Sequence, residues 1–219
     1  DNNSSLYANA AKSFKMPTFT QIYGGGGANF AANPLLEPEE GWIYEFGYKK
    51  TSNTSMFKAA LYYMDLDTIE YEGKGTSSNP YVTRNMSFKN KGLEMTYEKD
   101  FGSKYSYSLG ANFCNPMGKN KKGVWERKFA REQYNASIKY HDAKFNAALT
   151  GMFTTDRASG WGDLLPVNFI AGYKFDKSST VELGVENIFD RDDIVSNPGS
   201  ATKYYCLPRM VYVTYTYTF

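Results

Sequence analysis

The sequence is poor in the residues from which metal sites and disulfide frameworks are built. It contains one histidine and two cysteines in 219 residues. Cys114 and Cys206 lie far apart and match neither a disulfide framework nor a metal motif with paired ligands. We therefore expect no disulfide between them, no metal site and no cofactor.

Long apolar runs and concentrated charge are also missing. No segment approaches the roughly 20 apolar residues that a spanning helix requires. The formal net charge is +2, and the short basic segment 119–122 is typical of a solvated loop, so we expect no nucleic-acid partner. No basic start followed by an apolar core opens the chain, which we interpret as a mature chain or a fragment.

Aromatic residues, in contrast, are abundant. The chain has 19 tyrosines, 15 phenylalanines and 19 glycines, yet its mean hydropathy is only −0.55. This combination is typical of strands that have one apolar face.

Apolar and polar residues alternate with a period of two over segments of about ten residues, which is typical of a transmembrane barrel. One example is Tyr44, Phe46 and Tyr48, which alternate with polar or small residues. The pattern predicts about ten antiparallel strands, the first near 6–12 and the others at 41–51, 55–69, 81–100, 104–115, 129–141, 143–155, 164–175, 180–191 and 204–219.

The connections between these strands alternate in length. Short turns are predicted near 52, 102, 142 and 177, and long polar connections at 13–40, 70–80, 115–128, 155–164 and 191–203. Outer-membrane barrels have short periplasmic turns and long extracellular loops, so both chain ends should be periplasmic. An aromatic girdle is expected at the periplasmic interface, formed by Tyr48, Tyr105, Tyr140, Phe145, Phe175 and Phe219.

The alternation also predicts which side chains face lipid and which face the lumen. A soluble sandwich or propeller would alternate too, but tyrosines recur on the apolar face at strand ends, which favours the barrel. The residues expected to face lipid are Tyr107, Leu109, Ile138, Leu149, Phe169, Leu183 and Val213. Those expected to face the lumen are Glu45, Lys49, Lys58, Glu94, Glu98, Ser108, Asn135, Lys174, Glu182 and Glu186.

Several short motifs carry a family resemblance. They occur in order along the whole chain and comprise FKMPTF at 14–19, NPLLEPE at 33–39, YEFG at 44–47, KGLE at 91–94, GVENIFD at 184–190 and PR at 208–209. Together they resemble the C-terminal half of the barrel of TonB-dependent receptors. One departure is that the segment Leu207-Pro208-Arg209 lacks the glycine that the family usually places before the arginine.

The resemblance implies an all-β, transmembrane antiparallel barrel, of which residues 1–219 form about the last ten of 22 strands. The plug domain and the N-terminal strands would be absent from this chain. The implied function is TonB-coupled uptake of an iron siderophore or a similar scarce nutrient across the outer membrane, without enzymatic activity. The implied partners are outer-membrane lipid, the TonB complex acting through the missing plug, the nutrient, and the barrel assembly machinery.

Two sets of residues are singled out by this interpretation. We expect the motif residues to shape the barrel and its rim, and these are Pro17, Asn33, Pro34, Glu39, Glu94, Asn187, Phe189, Asp190, Arg209 and Phe219. Cargo contacts should be aromatic or cationic residues on the extracellular side, and the candidates are Tyr71, Tyr81, Arg84, Trp125, Arg127, Trp161 and Tyr205.

Residues that the sequence lacks at particular positions help to choose among possible cargoes and among alternative functions. No histidine lies between the FKMPTF and NPLLEPE elements, where haem transporters of this family typically carry one, so a siderophore is favoured over haem. The glycines at 24–27 lack the lysine of a phosphate-binding loop and are interpreted as a loop tip. His141 falls at a periplasmic turn, which argues against a barrel protease or lipase, and we expect no catalytic residues. A small passive porin is the main alternative.

Overall fold

The computed structural model describes residues 3–25, 29–157, 161–199 and 202–219, which form one large antiparallel sheet and a separate two-stranded hairpin. Gly26 and Gly27, part of the predicted loop tip, lie outside the described residues. The strands are β1 Ser4–Lys15, β2 Glu39–Thr51, β3 Ser55–Glu72, β4 Val82–Phe101, β5 Tyr105–Cys114, β6 Met117–Lys119, β7 Trp125–Arg127, β8 Glu132–His141, β9 Phe145–Thr155, β10 Val167–Lys174, β11 Ser179–Glu186, β12 Ile194–Gly199, β13 Thr202–Tyr205 and β14 Met210–Tyr217.

Ten of these strands form one continuous path in the order β1-β2-β3-β4-β5-β8-β9-β10-β11-β14. Every neighbour along the path is antiparallel, as the alternation predicted. The short hairpin β6–β7 joins the sheet by pairing with β4. The all-β, antiparallel fold class predicted from the sequence is therefore confirmed.

Two predicted strands were wrong in extent. The strand predicted at 180–191 ends at Glu186, because Asn187 and Asp190 have positive φ angles of 48° and 53° that no extended strand can contain. The strand predicted at 204–219 is divided. Tyr204 and Tyr205 pair within a separate hairpin, β12–β13, whereas β14 begins only at Met210, after Pro208, which cannot donate a ladder hydrogen bond.

The long connections contain more structure than predicted. A helix, α1, spans Phe19–Tyr23 inside the connection predicted as a loop at 13–40, and a capping box between Thr18 and Gln21 begins it. The hairpins β6–β7 and β12–β13 form in the connections at 115–128 and 191–203. Within the described ranges, no helix combines the length and the apolar character needed to cross a membrane.

The short turns are held by side chains that bind the turn backbone. Asp142 accepts hydrogen bonds from the backbone N–H of Lys144 and Phe145, at 2.9 and 2.8 Å. These bonds and the hydroxyl of Tyr140 lower the pKa of Asp142 to about 2. Asp176 binds Ser178 and Ser179 in the same way, and its pKa is also lowered. The turns near 52, 102, 142 and 177 are confirmed.

The register gives the sheet one apolar and one polar face. Residues directly opposite each other share a face, and Tyr107, Ile138, Leu149 and Phe169 form one continuous row of opposed residues. Leu109, Leu183 and Val213 lie on the same face, which we call the apolar face. The residues predicted to face the lumen all lie on the other, polar face. The two predicted sets are therefore confirmed as occupying opposite faces.

Aromatic residues form rows at both ends of the strands. At the short-turn end, the rings of Tyr105 and Tyr140 are 4.9 Å apart and those of Tyr140 and Phe145 are 5.7 Å apart. A second row lies near the long connections, where Tyr134 contacts Phe113 at 5.6 Å and Phe153 at 6.2 Å. Trp42 stacks on Tyr44 in the same row. The sequence analysis predicted only the first of these rows.

On the polar face, tyrosine rings lie over glycines of neighbouring strands. Tyr62 covers Gly92, and its hydroxyl donates a hydrogen bond of 3.1 Å to Asn112. Tyr7 covers Gly47 and Tyr212 covers Gly184 in the same manner. A Cβ at any of these glycines would overlap the ring, so each tyrosine depends on the glycine opposite it.

We predict that Gly92→Ala destabilises the protein, because its methyl group would meet both the Tyr62 ring and the carbonyl oxygen of Phe113. Overpacking of this kind costs about 1–3 kcal/mol. Thermal unfolding of the full-length protein should show a lower unfolding temperature for this variant.

Gly151→Ala is the matched control, because a Cβ there would meet Val167 at an ordinary 3.5 Å. It should leave the unfolding temperature nearly unchanged. Equal effects from the two substitutions would show that the tyrosine-glycine contact is not the cause.

Candidate ligand-binding surface at the long-connection end

The seven residues predicted to contact cargo all lie at the end of the sheet that carries the long connections. They do not form one cluster. Tyr71, Tyr81 and Arg84 lie where β3 and β4 extend beyond their neighbours, Trp125 and Arg127 lie on β7, Trp161 lies in the connection between β9 and β10, and Tyr205 lies on β13.

Arg84 is held in an ion-pair network on the polar face. It lies directly opposite Glu70 and pairs with it, and its Nε donates to Oε1 of Glu72 at 2.6 Å. Lys128 also pairs with Glu70, at 2.6 Å. We call Glu70, Glu72, Arg84 and Lys128 the Glu70 cluster. Its side chains are between 18% and 31% exposed, so an uncompensated charge there would be costly.

The Glu70 cluster also fixes the hairpin β6–β7. Arg84 donates to the carbonyl oxygen of Lys119, the last residue of β6, at 3.2 Å. Lys128 follows β7 directly and brings its own ammonium to Glu70. The network therefore joins β3, β4 and the hairpin, and it shapes the polar face at this end.

Tyr71 and Tyr81 hold the connection between β1 and β2. The hydroxyl of Tyr71 accepts a hydrogen bond of 2.9 Å from the side chain of Gln21 in α1. The hydroxyl of Thr83, which is only 1% exposed, donates to the carbonyl oxygen of Gln21 at 3.1 Å. Tyr81 packs its ring 5.2 Å from that of Phe30. The connection is consequently fastened to β3 and β4 rather than free.

Motif residues in this connection make similar contacts. The amide of Asn33 donates to the carbonyl oxygen of Thr83 at 2.8 Å. Glu39 accepts from the backbone N–H of Ile69 at 2.8 Å and pairs with Lys15 at 2.8 Å. These bonds join the beginning of β2 to β3 and to the end of β1.

Arg127 joins β7 to the end of β9. Its guanidinium pairs with Asp156 and donates to the carbonyl oxygen of Arg157 at 2.6 Å. The guanidinium of Arg157 lies 5.1 Å from the centre of the Trp161 ring. The guanidinium of Arg127 is thus occupied by contacts within the chain, whereas the ring of Trp161 lies beside the guanidinium of Arg157.

Asn187 organises the connection that leads to β14. It is 7% exposed, and its amide donates to the carbonyl oxygens of Arg191 and Leu207, both at 2.8 Å. Asp190 accepts from the backbone N–H of Arg209 at 2.8 Å. The two parts of the final motif, separated in sequence, are therefore bonded to each other, and the absence of a glycine before Arg209 leaves this arrangement intact.

A second carboxylate in this connection, that of Asp193, is held by an ion pair. Arg191 pairs with Asp193 at 2.7 Å and lowers the pKa of that carboxyl group. Asp193 also accepts from the backbone N–H of Leu165 at 2.8 Å. The base of the β12–β13 hairpin is thereby tied to the connection before β10, and the hairpin presents Tyr205, which is 50% exposed.

Reactive and metal-binding groups are sparse at this surface. In the ranges 3–25, 29–157, 161–199 and 202–219, no group of three or more histidine, cysteine or acidic side chains could hold a metal ion. Both cysteines are free, and His141 ends β8 at the short-turn end of the sheet. The arrangement supports binding through charge, hydrogen bonds and aromatic rings.

The sequence analysis missed several residues that shape this surface. Gln21 and Thr83 were not predicted, nor were the acidic and basic partners of Arg84. One signal was present, because the period-two pattern continues past Tyr63 to Glu70 and Glu72 and places both on the polar face with Arg84. The contacts of Gln21 had no local signal.

A family model described as TonB dependent receptor-like, beta-barrel matches residues 1–188 of this chain. The match covers β1 to β11 and most of the motifs quoted above.

Solved structures show the same fold at low sequence identity. The ferric-catecholate import receptor Fiu from E. coli is 19% identical, with a TM-score of 0.72 over 100% of this chain. A mutant of the ferric enterobactin receptor from Pseudomonas aeruginosa, in complex with enterobactin, is 18% identical, with a TM-score of 0.77 over 100%. The copper transporter OprC is 13% identical, with a TM-score of 0.77 over 99%. The chain spans 33%, 39% and 37% of these proteins, respectively.

We predict that Glu70→Gln loosens the hairpin β6–β7, because it leaves Arg84 and Lys128 without their shared carboxylate. Losing a partly exposed bond of this type costs about 1 kcal/mol, which corresponds to roughly fivefold faster opening. The rate of amide hydrogen exchange of residues 117–127 in the full-length protein measures how often the hairpin opens.

Glu98→Gln is the control, since Glu98 lies on the same face and makes no ion pair in the described part of the chain. Its exchange pattern should match that of the unaltered protein. Unchanged exchange in Glu70→Gln would show that the Glu70 cluster does not hold the hairpin.

Proposed function

Because the chain belongs to the TonB-dependent receptor-like β-barrel family, we propose that it is part of an outer-membrane receptor for TonB-coupled uptake of an iron siderophore or a similar scarce nutrient. The observation that carries the proposal is the unbroken register of ten strands, which separates an apolar from a polar face. A barrel in lipid needs both faces.

The apolar face is proposed to contact lipid. Leu109, Ile138 and Leu149 are between 42% and 53% exposed on this face, and such a wide apolar surface is unfavourable in water. The two aromatic rows lie at opposite ends of it, as expected for rings at the two membrane interfaces. The short turns would then be periplasmic and the long connections extracellular.

The polar face is proposed to enclose a lumen that holds a plug domain. The charges of Glu45, Lys58 and Glu94 would be costly in lipid but are tolerated beside water or a polar domain. The hydroxyl of Tyr7 and the side-chain oxygen of Asn90 are buried on this face without a hydrogen-bond partner in the described residues. The charged side chains of this face favour a polar neighbour, which the plug would provide.

The barrel itself is proposed to need further strands, with residues 1–219 forming its C-terminal portion. In the described part of the chain, β1 pairs only with β2 and β14 only with β11. Unpaired backbone groups are not tolerated in lipid. In the whole receptor, which the barrel assembly machinery would insert, these edges would pair with strands supplied by the rest of the protein.

The cargo is proposed to bind where the polar face meets the extracellular connections. Of the seven candidates, Arg84 lies on the polar face, and Trp161 and Tyr205 lie in connections at the same end of the sheet. Aromatic rings and cations suit catecholate or hydroxamate chelates, which present aromatic or anionic surfaces. Trp125 and Arg127 lie on the apolar-face side of their hairpin, so we assign them a smaller part in binding cargo.

Uptake of a radiolabelled ferric catecholate by iron-starved cells that carry the full-length receptor tests this function. Uptake should require TonB and should fall roughly 30-fold when Trp161→Ala and Tyr205→Ala are combined, since each lost aromatic contact costs about 1 kcal/mol. Phe101→Ala, at a short turn, is the control and should transport normally. Transport that persists without TonB would contradict the proposal.

A passive porin is the second candidate, because ten strands could in principle form a small barrel by themselves. Ion conductance of the purified full-length protein in planar bilayers separates the two functions. A plugged receptor should be closed in the absence of TonB. A steadily open channel that admits small solutes would favour the porin.

The proposed orientation predicts opposite reactivity at adjacent positions of β5. In a background with Cys114→Ser and Cys206→Ser, Leu109→Cys should react only with a lipid-soluble maleimide. Ser108→Cys should react with a small water-soluble thiol reagent, because it lies on the polar face. The inverse pattern in the assembled receptor would show that the two faces were assigned wrongly.

A further inference from the structure

Two lysines flank one tryptophan on the apolar-face side of the sheet, at the long-connection end, and a third lysine lies two residues away on β4. The ammonium groups of Lys89 and Lys119 are 5.8 and 5.5 Å from the centre of the Trp125 ring. Lys91 lies two residues from Lys89 on β4 and therefore on the same face. We call Lys89, Lys91, Lys119 and Trp125 the lysine-tryptophan patch.

The side of the sheet on which the patch lies follows from the register. Lys89 is opposite Met117, and Lys119 is opposite Trp125. The same register runs through Leu93 and Phe113 on the apolar face. The patch is therefore directed away from the polar face and from the Glu70 cluster.

The patch also lies away from both edges of the sheet. Three strands of the path precede β4 and six follow it, so strands added at the edges would not cover the patch. A plug domain would occupy the opposite face. The surroundings of the patch are consequently those of the outer barrel wall.

Along β4, the patch begins where the apolar residues end. Tyr97, Met95 and Leu93 occupy the apolar face between Lys99 and Lys91. These two lysines are separated by about 26 Å along the strand at roughly 3.3 Å per residue. A strand tilt near 40° reduces this to about 20 Å of height, close to the apolar band of an outer-membrane barrel. Lys91 thus marks one boundary of that band.

The charge of the patch is only partly neutralised. Lys89 pairs with Asp65 at 3.1 Å, and Asp65 also accepts a hydrogen bond from Tyr63. Lys91 and Lys119 make no ion pair in the described part of the chain. Lys91 and Lys119 therefore carry charge that no ion pair in the described residues balances, and such charge attracts an anion.

We propose that the lysine-tryptophan patch binds the phosphate groups of a lipid headgroup in the extracellular leaflet of the outer membrane. The inference rests on the proposed function for its placement in a membrane. Lysine ammonium groups bind phosphate as point charges, and basic residues at a membrane surface attract anionic lipids. Trp125 places its amphipathic ring at the depth where such headgroups lie.

The lipid is favoured over free phosphate by the position of the patch. A lipid that lies against Leu93 and Met95 with its acyl chains would bring its headgroup to Lys91 and Lys119. Free phosphate would gain nothing from the apolar residues below the lysines. The patch therefore favours an amphipathic ligand whose charged end is phosphorylated.

The test is retention of bisphosphorylated lipid A by the full-length receptor, measured by native mass spectrometry after incubation in detergent. The combined variant Lys91→Gln and Lys119→Gln should retain roughly 30-fold less lipid A than the unaltered receptor. Lys99→Gln, on the same strand and face at the other boundary, is the matched control and should retain as much as the unaltered receptor. Heat-modifiable migration on gels establishes that each variant is folded.

Two further measurements identify the source of the phosphate. Lipid A from which the phosphates have been removed should bind the unaltered receptor and the double variant equally. Inorganic phosphate in large excess should not displace bound lipid A. Displacement by inorganic phosphate, or equal retention of lipid A by the double variant, would overturn the inference.

The test of the lipid site can fail independently of the tests of the proposed function. TonB-dependent uptake and the thiol reactivity at positions 108 and 109 do not depend on the patch. Normal uptake together with equal lipid retention by the double variant would reject only the lipid site. Loss of the predicted thiol pattern would reject the membrane placement itself.

Discussion

The backbone ladder between antiparallel strands is the constraint on which the rest of the structure depends. Each strand of the ten-stranded path is bonded to its neighbours in a continuous register, so side chains on opposed residues share a face. A slip by one residue would exchange Leu109 with Ser108 and bring charge to the apolar face. The separation of the two faces is thus a consequence of the ladder, and the proposed lipid contact and lumen follow from it.

The polar face accommodates features that would be unfavourable in a dry core. Tyrosines such as Tyr62 lie over glycines and use their hydroxyls in hydrogen bonds. Charged side chains occur at regular positions on this face, and two buried polar atoms on it lack partners in the described residues. These features are compatible with a hydrated or plugged interior, and they distinguish this face from the core of a soluble sandwich.

The long connections are held to the strand extensions by specific hydrogen bonds and ion pairs, beside a few buried apolar side chains such as Leu36 and Phe88. Thr83 and Gln21 fasten α1 to the extensions of β3 and β4. The Glu70 cluster fastens β6–β7 to the same extensions. The rim thereby gains a defined shape on both sides of the sheet, with Arg84 on the polar face and the lysine-tryptophan patch on the apolar face.

The sequence by itself determined the strands, the short turns and the two faces, because period-two alternation and turn residues are local properties. Asp142 and Asp176, for example, each accept a hydrogen bond from a backbone N–H three residues further along the chain, so these turns depend on local sequence alone. The family motifs were equally readable, since each is a short run such as the one that contains Asn187. Even here the end of β11 depended on backbone angles that the residue types alone did not reveal.

Only the tertiary structure decided which distant residues meet at the rim. The Gln21–Tyr71 bond and the Glu70–Lys128 pair each join residues at least 50 positions apart. Such contacts depend on how far each strand extends beyond its neighbour, which no local pattern encodes. The side on which Trp125 lies was likewise undetermined, because three-residue strands carry too little alternation to assign a face. The register of β6 against β4 placed Trp125 between two lysines.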